Sequence, residues 1–61
     1  MIAEIEVRFL PGEDLFTASR EAIRLAKLLR VRVSWRWNGV ELVAWPDDRP
    51  EAIIKKYEKS K

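Results

Sequence analysis

Val33-Ser34-Trp35-Arg36-Trp37-Asn38-Gly39-Val40-Glu41-Leu42-Val43-Ala44-Trp45 decides how this chain folds. Two runs that alternate in polarity flank Asn38-Gly39, the dipeptide best suited to a type I′ turn, which needs positive φ at both central positions. A two-residue turn fixes the register: Trp37 faces Val40, Arg36 faces Glu41, Trp35 faces Leu42, Ser34 faces Val43, Val33 faces Ala44 and Arg32 faces Trp45. One side of the hairpin then carries Val33, Trp35, Trp37, Val40, Leu42 and Ala44, an apolar set that reads as core. The other carries Arg32, Ser34, Arg36, Glu41, Val43 and Trp45. Trp35 and Trp37 are therefore expected inside. Trp45, on the polar side, is the aromatic left over.

Outward from the hairpin, residues 2–10 (IAEIEVRFL) alternate with period two, a half-buried strand that Pro11-Gly12 ends. From Glu13 to Arg30 the spacing turns helical. Leu15, Ala18, Ala22, Leu25, Ala26 and Leu29 gather on one face, and Arg20, Arg24 and Lys27 form a stripe opposite. Acids at Glu13 and Asp14 and bases at Lys27 and Arg30 suit the two ends of the helix dipole. Phe16 and Ile23 fall on a shoulder and need a neighbour, which a second helix would supply. Pro46 closes the last strand. Asp48-Arg49-Pro50-Glu51 reads as a helix start, with Asp48 as N-cap and Glu51 completing a capping box, and Ile53, Ile54 and Tyr57 give that helix a narrow apolar stripe.

The fold expected is α+β: residues 1–61 as a single small βαββα domain, a three-stranded sheet with both helices on one face. With the first strand antiparallel to the third, the outer face would align Arg8–Glu41–Arg36 and Glu4–Trp45–Arg32, so opposite charges would meet across strands. The third strand is also the most apolar. Both points favour strand order 1-3-2, a ferredoxin-like arrangement lacking its last strand, over the alternative 1-2-3. The first strand would then be an open edge, a place for a second copy or a partner strand to add.

Sixty-one residues bury only about 60% of the surface the unfolded chain exposes, so burial of the three tryptophans matters greatly. Twelve basic residues against ten acidic ones leave a net charge of +2, a slight basic surplus. With no cysteine and no histidine, disulfides, Ser-His or Cys-His catalysis and the usual zinc sites are all excluded. Ser19 and Ser34 lack a nucleophile-elbow setting, Glu4 and Glu6 read as solvent-facing strand positions, and Asp47-Asp48 as a helix start rather than a metal site. No catalytic residue, metal or cofactor is expected. No apolar run approaches the ~20 residues of a membrane span, and the acidic N-terminus is unlike an export signal. A cytoplasmic protein is the expectation.

Two binding surfaces remain. Trp45, Val43, Arg32 and Arg36 on the outer sheet face, with Phe16 and Ile23, are the candidates for a protein interface, self or other, since tryptophan and arginine are enriched at binding hot spots. The other readings of Trp45 are cover by the Arg32 stem and tail residues in a cation–π contact, or a small ligand. Arg20, Arg24 and Lys27, with Arg32, Arg36 and Trp45, are the alternative, a surface for single-stranded nucleic acid built from cations and an aromatic platform. Glu4, Glu6 and Glu41 on the sheet face oppose phosphate there, and no RNP-like string occurs.

Residues 31–57 (VRVSWRWNGVELVAWPDDRPEAIIKKY), through Asn38-Gly39, Pro46 and Glu51, resemble the hairpin and short helix of small proteins encoded by bacteriophages and prophages. Those residues are structural, and tryptophan stands here where phenylalanine is usual, so no functional residue carries over. The resemblance implies a phage accessory protein that binds a host protein. The βαββ order with a strand tryptophan is also similar to the flavin-storing dodecins, from which the second helix and the tight hairpin depart.

Overall fold

A computed structural model describes residues 3–10 and 12–60. The elements run β1 (Glu4–Glu6), α1 (Leu15–Leu29), β2 (Arg32–Trp37), β3 (Val40–Ala44) and α2 (Pro50–Ser60). Three strands form one mixed sheet, and both helices cover the same face of it, enclosing Ala22, Ile23 and Ala26, Val33, Trp35, Leu42 and Ala44, and Ile53 and Tyr57 in one core. The α+β class and the βαββα order are those the sequence implies.

The hairpin forms in the expected register, from Val33 opposite Ala44 to Trp37 opposite Val40. Asn38 and Gly39 both take positive φ, 49° and 81°, as a type I′ turn requires. Trp35 is 1% exposed. Trp37, expected in the core beside it, is only half-buried and packs against the core's margin next to the turn.

Strand order is where the structure departs from expectation. The sheet runs β1-β2-β3, with β1 parallel to β2 and Glu4, Ile5 and Glu6 opposite Arg32, Val33 and Ser34. The order 1-3-2 does not form, and neither does the antiparallel pairing of the first and third strands; the likeness to a ferredoxin-like sheet rested on that order. The reason lies on the outer face, which no helix covers. A central strand there needs partners for its polar groups rather than apolar side chains. β2 has them: Arg32 Nε lies 2.7 Å from Glu4 Oε1 on one side, and Arg36 sits opposite Glu41 on the other. The Ser34 hydroxyl, 2% exposed, donates to Glu4 Oε2 at 3.1 Å. Backbone bonds continue the pairing past the strand ends, Val7 N–H donating to the Ser34 carbonyl (2.9 Å) and Arg32 N–H to the Ala3 carbonyl (3.3 Å). On the core side Phe9 meets Trp35 edge to face, ring centres 5.7 Å apart at 82°, a contact of about 0.5–1.5 kcal/mol beyond its buried area. Cross-strand charge pairs of a few tenths of a kcal/mol could be met in either order; this aromatic contact belongs to the observed one.

α1 starts at Asp14, whose carboxylate accepts from the Thr17 N–H at 2.7 Å. It ends at Arg30, held left-handed at φ 55°, with the Arg30 and Val31 N–H groups both reaching the Ala26 carbonyl. Alanines 18, 22 and 26 are buried, which lets the helix lie close on the sheet. Ile23 is 6% exposed, in the core with Ile53 and Tyr57 of α2. It is therefore no longer an interface candidate. Phe16 stays 43% exposed.

α2 begins at Pro50, a residue whose fixed φ and missing N–H suit the first helical position. Asp48 does not cap it. Its carboxylate instead accepts from Trp45 N–H at 2.9 Å while its own N–H donates to the Trp45 carbonyl at 3.0 Å, closing a turn around Pro46. The expected break at Pro11 lies outside the described residues. Among the described residues no helix is long and apolar enough to cross a membrane.

Candidate protein-interaction surfaces

The outer sheet face brings together most of what the sequence singled out. The Arg32 guanidinium lies over the Trp45 ring, 5.3 Å from its centre, and beside Glu4. The row across the sheet is thus Glu4–Arg32–Trp45, with the cation in the middle. The Nε–Oε1 approach is an ion pair by distance, though the N–H is not aligned as a hydrogen bond. Arg32 is only partly exposed and has both its charge and its flat face engaged. Trp45 remains 41% exposed with half-buried Val43 nearby, and Arg36 opposite Glu41. This face is a polar surface carrying one aromatic, with Glu4, Arg32 and Ser34 engaged with one another.

Arg20, Arg24 and Lys27 do not join it. They line an open groove of about 640 Å³ on the helix side, closed at one end by Asp48, Arg49 and Pro50 at the start of α2. Four cations, counting Arg49, meet two acids there, Glu21 and Asp48, and the Asp48 carboxylate is already engaged by Trp45. The six residues of the nucleic-acid alternative are therefore split between two sides of the molecule. Arg49 was missed by sequence reasoning because only the fold of α2 against α1 brings it to the stripe.

The third surface follows from the corrected strand order, which leaves β3 as an edge. In a hairpin closed by two residues, Trp37 and Val40 form a hydrogen-bonded pair, and so, two residues on, do Trp35 with Leu42 and Val33 with Ala44. The backbone N–H and C=O of Glu41 and Val43 consequently point away from β2, to the open side. The β2 half of the pattern agrees, since Arg32 N–H and Ser34 C=O face β1. At Trp45 the open side ends, because Asp48 takes up both its backbone groups. Four backbone groups remain unpaired among the described residues. Beside them runs a groove of about 390 Å³ between β3 and α2, lined by Glu41, Leu42, Val43, Lys56, Lys59 and Ser60. β1 is the other edge, but as a strand it spans only three residues. Sequence reasoning placed the open edge there and missed Lys56 and Lys59, whose place beside a strand depends on strand order.

Among the described residues no group of three or more acidic, histidine or cysteine side chains could hold a metal ion. The chain matches no protein family, no curated protein and no solved structure.

Proposed function

We propose that the chain is a non-enzymatic protein-binding module that takes up an extended segment of a partner, or of a second copy of itself, along the edge of β3. The observation that carries this is the pair of outward-facing residues Glu41 and Val43, whose four backbone groups lie unpaired between an exposed tryptophan and a groove. A strand added there gains main-chain hydrogen bonds, and the side chains beside them set selectivity. Trp45 and Val43 lie against its outer side, which keeps for them the role the sequence suggested. A phage accessory protein acting on a host protein, as the resemblance implies, would use such an edge.

The test is selection from a random displayed peptide library, followed by amide chemical-shift mapping of the binders. Binders are expected to shift the Glu41 and Val43 amides. Val43→Pro, which removes an outward N–H without taking a bond from the β2–β3 ladder, abolishes binding while the chain stays folded. Trp45→Ala weakens binding and leaves the fold intact. Binders that map away from β3, or that bind folded Val43→Pro as tightly, sink this reading.

The basic groove supports the alternative of a nucleic-acid-binding module, through Arg20, Arg24, Lys27 and Arg49. Phosphate binding would fall with salt at a log–log slope near −0.7 per contact for single strands. Sub-micromolar, salt-steep binding of an oligonucleotide, lost in Arg20→Ala/Arg24→Ala, promotes that reading.

A further inference from the structure

The lysines of α2 indicate which kind of strand fits the β3 edge. Resting on the docking edge proposed above, we infer that the segment taken up carries carboxylates on alternate residues with apolar residues between them. Residues of an added strand that pair with Glu41 and Val43 turn their side chains to the outer face, and those between them turn toward the helices. The outer positions meet Val43 and Trp45, which are apolar, and Glu41, which sits opposite Arg36 in the hairpin register. The inner positions enter the groove, whose floor is Leu42 and whose wall is the Lys56, Lys59 and Ser60 flank of α2. Spaced at 100° per residue, Glu51 and Glu58 fall on the opposite flank of that helix. Neither Lys56 nor Lys59 has an ion-pair partner among the described residues. The inner wall is therefore positive overall, two lysines against Glu41, and the outer side is apolar at Val43 and Trp45.

The same charges decide between a foreign segment and a second copy. Two copies joined antiparallel along β3 would set Glu41 of each opposite Val43 of the other, which is tolerable. Their two α2 helices would then bring four lysines into one shared groove that holds only two acids, Glu41 of each copy. Like charges so placed oppose association, and a segment of opposite sign is drawn in.

Three fluorescein-labelled octapeptides test this by anisotropy on the full chain: alternating Glu and Val, alternating Ser and Val, and alternating Lys and Val. The Glu peptide is expected to bind about tenfold more tightly than the Ser peptide at moderate salt, the scale of two partly exposed charge pairs. Lys56→Glu/Lys59→Glu should erase or reverse that preference, and the Glu peptide should shift the Glu41 and Val43 amides. If the Ser or Lys peptide binds as tightly through the same amides, the acidic preference is wrong and edge docking stands. If no peptide binds and those amides never shift, the docking edge itself fails, and the inference with it. Sedimentation at twice the 7.2 kDa chain mass, abolished by Val43→Pro, would make a second copy the occupant and overturn the inference.

Discussion

The Asn38 side-chain amide donates a hydrogen bond to the Tyr57 phenolic oxygen at 3.0 Å, tying the hairpin turn to the C-terminal half of α2 across 19 residues of sequence. Asn38 thus serves twice, in the turn by its left-handed backbone and in the tertiary structure by its side chain. The bond also holds α2 alongside β3 and so keeps the lysine flank beside the open edge. Tyr57→Phe should cost ~0.5–1.5 kcal/mol, the net worth of one such bond. For a domain of this size that lowers Tm by roughly 4–8 °C per kcal/mol, read by circular dichroism. A Tm unchanged within a degree would show that the bond contributes nothing.

Trp35 is the largest of the fully buried side chains. Trp35→Ala should cost ~3–5 kcal/mol, against a total of roughly 3–9 kcal/mol expected at 0.05–0.15 kcal/mol per residue. The variant is expected to be largely unfolded at 37 °C. The Trp35 indole N–H is buried with no partner among the described residues, which makes Trp35→Phe far milder, since it removes an orphaned donor along with part of the ring. A Trp35→Ala protein that melts within a few degrees of the parent would mean that the sheet's faces are misassigned.

Arg30 closes α1 in a left-handed conformation that favours glycine. The strain on an ordinary L-residue there is about 1 kcal/mol, partly offset because glycine gains freedom in the unfolded chain. Arg30→Gly should therefore stabilise the protein by ~0.5–1 kcal/mol, a gain of several degrees in Tm. A lower Tm would show that the Arg30 side chain holds the helix end in a way its charge and position do not reveal.

Acid acts on the start of α1 in two opposed ways. Hydrogen bonds from Thr17, its side chain first and then its backbone, hold the Asp14 carboxyl below its ordinary 3.8. The stability this adds is complete above about pH 3.8 and drains away as pH falls through the lowered value. Glu13 is shifted the other way, above its ordinary 4.5, by desolvation first and then by the charge of Glu21. It costs stability at neutral pH, and the cost is relieved as pH falls past that raised value. Asp14→Asn keeps a good cap and removes the first effect. Melting curves of parent and variant between neutral pH and about pH 2.5 should diverge only on the acid side of 3.8. Parallel curves throughout would rule out a contribution from the Asp14 charge.

Local chemistry is legible in the order of the residues alone. Asn38-Gly39 set the turn and, through it, five cross-strand pairs, because a two-residue I′ turn permits one register. Helical spacing put alanines 18, 22 and 26 on the buried face. These are properties of neighbouring residues, and neighbours in sequence are enough to determine them. Strand order was not legible, because it depends on where a 15-residue helix returns the chain and on which long-range contacts form when it does. Opposite charges could be aligned across strands in either arrangement, as Arg8–Glu41–Arg36 in one and Glu4–Arg32 in the other, so charge could not choose, and polar β2 could be central only because one sheet face has no helix over it. From that one tertiary decision follow the exposed backbone of Glu41 and Val43, the lysines beside them, Arg32 between Glu4 and Trp45, and the splitting of the basic residues onto two sides of the molecule. Asp48 marks the same boundary at a smaller scale. Its spacing fits a helix cap, yet its carboxylate closes the turn after Trp45 because the folded chain brings that N–H to 2.9 Å.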